Sequence, residues 1–158
     1  MKWLIMFFIV ALDQTSKWLV VTHLKELETI QIVEGYFHLH YLENRGAAFG
    51  IFQDQRWFFV VITVLIVGGI LGFLIKNPQA EKVLVTALSL ITGGAVGNFI
   101  DRLLLGYVID FLDFQIWPVF NVADSAIVMG QLLLIFYLFR DHMSKREGES
   151  IGQTDHQN

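Results

Sequence analysis

The chain has 158 residues, of which 54% are hydrophobic and only 16% charged, with a mean hydropathy of +0.55. That balance excludes an ordinary soluble domain and leaves room for about four membrane spans with short loops. A net charge of −4 without a basic cluster gives a nucleic-acid partner no footing, and the lack of cysteine excludes disulfides, thiolate metal sites and a cysteine nucleophile.

The first segment is apolar from Trp3 to Leu12, is interrupted by Asp13-Gln14-Thr15-Ser16-Lys17, and resumes from Trp18 to Val21. Lys2 before an apolar stretch imitates a signal peptide, but no small-x-small cleavage site follows and hydrophobicity continues past Lys17. A retained span over about 3–24 is expected. Asp13 and Lys17 stand at i and i+4, so they share one helix face, and pairing makes their burial in a bundle tolerable.

The connection over 25–56 carries strand signals. Ile30 and Ile32 alternate with polar neighbours, Glu34-Gly35 reads as a turn, and Phe37, Leu39 and Tyr41 alternate with His38 and His40. A small hairpin on the membrane surface is expected there, followed by an interfacial aromatic belt of Phe49, Phe52, Trp57 and Phe58. Further spans are expected over 57–75 and 83–101, then a second outer connection over 102–120 and a last span over 121–139, stopped by Arg140. Gly68/Gly72 and Gly93/Gly97 have the GxxxG spacing that lets helices approach closely, and plain bundle packing explains them. Residues 141–158 are polar and lack periodicity, which predicts a disordered tail.

The predicted architecture is an all-α integral membrane protein, a four-transmembrane-helix bundle with a small extracytoplasmic β-hairpin or sheet. It forms one membrane-embedded domain over 1–140. Lys2, Lys76, Lys82, Arg140, Lys145 and Arg146 outnumber Lys25, Arg45, Arg56 and Arg102, which favours cytoplasmic termini. The 25–56 and 102–120 connections then share the outer face.

Chemistry centres on Asp13, Asp101, Asp110 and Asp124, because an ionised Asp near mid-bilayer costs at least ~2.5–3.5 kcal/mol. Asn98, Asp101 and Arg102 share a helix face, and Arg102 is the expected charge partner of Asp101. Asp110 and Asp124 have no basic residue within four positions and lie in apolar surroundings, which raises a carboxyl pKa. Brought together, two such carboxyls would share a proton, one serving as acid and one as base in amide hydrolysis. The competing structural role is helix capping, with Asp124 or Asn121 as the N-cap of the last span. His38 and His40 lack a third ligand, so no metal site is expected. Ser16, Ser89 and Ser125 lack a base placed to activate them, Lys17 beside Ser16 being too close in sequence.

Five motifs then stand in order around the spans. They are Asp13-Gln14-Thr15-Ser16-Lys17, Asn44-Arg45-Gly46-Ala47-Ala48-Phe49-Gly50, Gly97-Asn98-Phe99-Ile100-Asp101-Arg102, Val108-Ile109-Asp110-Phe111 and Phe120-Asn121-Val122-Ala123-Asp124-Ser125. In these the chain resembles the lipoprotein signal peptidases (signal peptidase II), bacterial membrane aspartyl proteases. The resemblance implies a catalytic dyad at Asp110 and Asp124. It also implies a substrate site shaped by Asp13, Lys17, Asn44, Gly46, Ala48, Asn98, Asp101, Arg102, Asn121 and Ala123. The implied activity removes the signal peptide from diacylglyceryl-modified prolipoproteins before the lipidated cysteine, with no metal or organic cofactor. The implied partners are those lipidated signal peptides and membrane lipid, and the implied location is the bacterial cytoplasmic membrane; a monomer is expected. Two other classes remain open on the sequence. A proton-coupled transporter would spread its acids across the bilayer and usually carry repeats, whereas these acids gather toward one face. A non-catalytic assembly factor would leave Asp110 and Asp124 without cations.

Overall fold

The structure, a computed structural model, describes residues 1–46 and 53–155. Ala47, Ala48, Phe49 and Phe52 lie outside the described residues. In chain order the elements are α1 (Lys2–His23), β1 (Thr29–Val33), β2 (Phe37–Asn44), α2 (Arg56–Lys76), α3 (Lys82–Leu104), β3 (Val108–Asp113) and α4 (Val122–Asp155).

Among the described residues four helices are long and apolar enough to cross a membrane, α4 over its stretch Val122–Met143. Their outward faces carry large apolar side chains such as Phe7, Phe8, Leu65, Ile66, Leu132 and Phe136, exposed in a manner suited to lipid and not to water. The chain is an integral membrane protein. Helix α3 is the hub, packing against α4, α1 and α2.

Glycine explains how close these approaches are. A Cβ on Gly97 would stand 2.6 Å from Asp13 Oδ2 and 3.2 Å from Ala123 Cβ, and one on Gly94 would stand 2.3 Å from the Ala123 carbonyl oxygen. Small residues on α3 therefore let the backbone of α4 and the side chain of Asp13 come within contact distance. The Gly68/Gly72 pair behaves otherwise: a Cβ at either position meets nothing within 4 Å, so its spacing marks no helix contact among the described residues.

The 25–56 and 102–120 connections build one antiparallel sheet in the order β1-β2-β3. The expected hairpin is β1–β2, turning at Gly35 with φ +72°, a conformation that suits glycine. The third strand comes from the other connection. Strand β3 alternates with period two. Ile109 and Phe111 face a buried cluster with Val20 and Leu24 at the end of α1, while Val108 and Asp110 face a cavity.

Helix α4 runs beyond Arg140 to Asp155, where the sequence predicts a disordered tail. Lys145 and Asp141 pair at 2.7 Å in an i,i+4 arrangement, and the long side chains of this segment are good helix formers despite the missing periodicity.

Candidate active site

Asp110 and Asp124 come from different elements and meet at one cavity. Asp110 sits mid-strand in β3, and Asp124 lies in the first turn of α4. The cavity has a volume of about 360 Å³, and Asn44, Gly46, Asn98 and Arg102 also line it.

Asn121 joins the two acids. It precedes α4 and caps it: its Oδ1 accepts the Asp124 backbone N–H at 2.8 Å, and Asp124 Oδ2 accepts the Asn121 N–H at 3.3 Å. This reciprocal pattern is a capping box with an acid at the third helical position. The Asn121 side-chain amide also donates to Asp110 Oδ1 at 2.7 Å and to Asn98 Oδ1 at 3.0 Å. Capping and proximity to Asp110 are thus not alternatives; the cap is what aims Asp124. Asn44 completes the surroundings of Asp110, donating to its Oδ2 at 2.8 Å from the diagonal position on β2. Burial and the nearby Asp124 carboxyl push Asp110 up to about 7, against the opposing effect of the amide donors Asn44 and Asn121.

Behind the cavity lies a buried polar network. Lys17 is 2% exposed and touches two carboxylates, Asp13 at 2.9 Å and Asp101 at 2.8 Å. It also donates to Asn98 Oδ1 at 3.0 Å. With its oxygen taken by Lys17 and Asn121, Asn98 turns its amide nitrogen to Asp124 Oδ1 at 2.7 Å. Asp101 additionally accepts the backbone N–H of Ile109, which ties the end of α3 to β3. Asp13 accepts the N–H of Ala123 at 2.9 Å, placing an anion at the positive end of α4.

One expectation is overturned. Asp101 forms its ion pair with Lys17, at 2.8 Å, and not with the adjacent Arg102. Consecutive helical residues point about 100° apart, so Asp101 faces the bundle while Arg102 faces the cavity. There Arg102 donates to the Gly46 carbonyl at 3.2 Å and lies over the Phe59 ring at 4.6 Å. Gln14, which the motif contains without an expected role, belongs to the same network: its amide donates to Asp101 Oδ1 at 2.9 Å, Asp13 Oδ2 at 3.2 Å and the Gly97 carbonyl at 3.2 Å. An uncharged amide within an apolar span was the available signal. His38 and His40 do not converge: His40 pairs with Thr29, and His38 with Gln115. Ala48 lies outside the described residues.

The family model described as signal peptidase (SPase) II matches residues 5–140. The chain belongs to the signal peptidase II family. The lipoprotein signal peptidase of Halothermothrix orenii is 46% identical over 140 residues, covering 89% of this chain and 96% of that protein. That of Shouchella clausii is 45% identical over 148 residues, covering 92% and 98%. A bacterial membrane enzyme solved by the in meso method at 2.3 Å superposes with a TM-score of 0.86 at 36% identity, covering 91% of this chain and 90% of that one. As a signal peptidase II, the chain is a membrane protease.

Proposed function

We propose that this chain is an aspartyl endopeptidase that removes signal peptides from lipoprotein precursors, with Asp110 and Asp124 as its catalytic pair. The observation that carries the dyad is their joint lining of one cavity while Asn121 bonds to both. Family membership carries the activity.

The pair holds one proton between two carboxyls. The ionised member takes a proton from a water as its oxygen attacks the scissile carbonyl carbon. The protonated member stabilises the developing oxyanion, then supplies the proton that lets the peptide nitrogen leave. Asn44, Asn98 and Asn121 fix the carboxyl planes, so little reorganisation is needed as charge moves. Neither a metal nor an organic cofactor is required by this scheme.

The bond cleaved is the one before a diacylglyceryl-modified cysteine, in a substrate whose signal helix lies in the bilayer. Asp110 lies in the sheet and Asp124 at the start of α4, which supports a site near the ends of the membrane-spanning helices, where a lipidated cysteine would stand. The loop charges favour cytoplasmic termini and a site toward the extracytoplasmic face of the bacterial cytoplasmic membrane. The proposed unit is a monomer, one membrane-embedded domain over 1–140.

The test is incubation of the purified protein with a diacylglyceryl-modified prolipoprotein peptide and with its unlipidated counterpart, followed by mass spectrometry. Cleavage before the lipidated cysteine alone is expected. An intact lipidated peptide, or cleavage elsewhere, would reject the reading.

A further inference from the structure

The segment between β3 and α4 carries a distortion that the chemistry above does not use. Gln115 has φ +64°, in the left-handed region that non-glycine residues seldom occupy. The Ile116 N–H bonds to the Phe114 carbonyl at 2.7 Å, closing a γ-turn around Gln115 of the rare positive-φ kind. Three contacts hold it. The Gln115 backbone N–H donates to Asp113 Oδ1 at 2.8 Å, and its side-chain amide donates to Asp113 Oδ2 at 2.6 Å and to His38 Nδ1 at 3.0 Å. His38 pays a cost of its own, because its Nε2 is buried with no hydrogen-bond partner.

Strained turns and orphaned polar atoms persist where the surrounding structure needs the geometry they impose. Here the base of the loop is closed by a pair of backbone hydrogen bonds between Leu112 and Phe120, at 2.8 and 3.1 Å. Phe114 stacks between Phe37 and Phe120, with ring centroids 4.8 and 5.9 Å away. With base and near side anchored, the turn at Gln115 sets the direction in which the chain leaves Phe114 toward Ile116 and Trp117. Trp117 and Phe120 line the cavity that holds Asp110 and Asp124, and they also line a second, largely apolar cavity of about 510 Å³ against α4. Trp117 and Phe120 of the loop, with Asp124 and Val128 of α4, border both cavities and form the partition between them.

We infer that Gln115 is a positioning residue for substrate: its turn and its links to Asp113 and His38 hold Trp117 between the catalytic and the apolar cavity. The partition thereby sets the register between the scissile bond and the lipid portion of the substrate. This inference rests on the peptidase reading above. Gln115 touches no reacting atom, so its loss weakens substrate binding and leaves the chemical step nearly unchanged.

The experiment measures kcat and KM of the full chain on one diacylglyceryl peptide carrying either long or short acyl chains. Gln115→Ala is expected to raise KM for the long-chain substrate about tenfold with kcat within about twofold, the pattern of lost uniform binding. The short-chain substrate should be affected much less. Gln115→Asn, which keeps an amide and tolerates left-handed backbone, should recover most of the affinity. Trp117→Ala should reproduce the rise in KM without altering the turn, which keeps the test open should Gln115→Ala fail to fold. An unchanged KM in Gln115→Ala, or a fall in kcat alone, would overturn the inference. Failure of the parent chain to cut either peptide would instead overturn the peptidase reading, and the inference with it.

Discussion

Asp13 accepts the backbone N–H of Ala123 at 2.9 Å, so a carboxylate in the middle of α1 holds the first turn of α4. Asp124 is the next residue on that turn. Asp13 therefore orients a proposed catalytic group without entering its cavity, and Lys17 compensates its charge.

Breaking this relationship should cost stability before chemistry. Asp13→Ala leaves Lys17 with one carboxylate fewer and strands the Ala123 N–H, a loss of about 3–5 kcal/mol for a buried ion pair deprived of one partner. Thermal unfolding in detergent should show a large drop in midpoint. An unchanged midpoint would mean that the network is not structural.

Asp110→Asn and Asp124→Asn should both remain folded and lose activity by about 10²–10⁴-fold, the range for removal of a general acid or base. Initial rates on a lipidated peptide, beside a folding control, provide the check. Near-normal turnover by either variant would dismiss the dyad.

Activity should fall as pH rises through about 7, the value to which burial and Asp124 push Asp110, because the dyad then loses its shared proton. Stability shifts in the same direction. A carboxyl raised from 3.8 to about 7 favours the folded state while neutral, and that contribution is lost between those two values as pH rises. Asp110→Asn cannot titrate, so its melting midpoint should gain on the parent's across that interval. Parallel melting curves from pH 4 to 8 would contradict the assignment.

Arg102→Ala should keep its fold, since Asp101 retains Lys17, Gln14 and the Ile109 N–H. Activity should drop about tenfold or more, because Arg102 borders both acids and positions groups in the cavity. Loss of stability matching the loss of rate would instead restore Arg102 as the structural partner of Asp101.

Gly97→Ala should destabilise by about 1–3 kcal/mol through overpacking against Asp13, whereas Gly68→Ala and Gly72→Ala meet only open space. Unfolding midpoints of the three variants separate the two glycine pairs. Equal effects would remove the distinction.

The bundle was legible in the sequence because the bilayer imposes length and apolarity on each span separately, and both are local properties. Residue-type patterns marked the hairpin for the same reason: alternation over 29–44 needs only neighbouring positions. The acids and amides of the site could be named, since polar groups in apolar spans are conspicuous. Their partners could not. Asp101 looked paired with the adjacent Arg102, yet helix geometry turns those neighbours apart and brings Lys17 from α1 to the carboxylate. Gly68/Gly72 and Gly93/Gly97 share one spacing, but only the second pair lies where another helix arrives. Asp110 and Asp124, fourteen positions apart on a strand and a helix, face one cavity because β3 pairs with β2 and Asn121 caps α4. Span, strand and polar inventory follow from local composition; charge pairing and the meeting of two carboxyls depend on distances across the chain, which only the packed helices and sheet define.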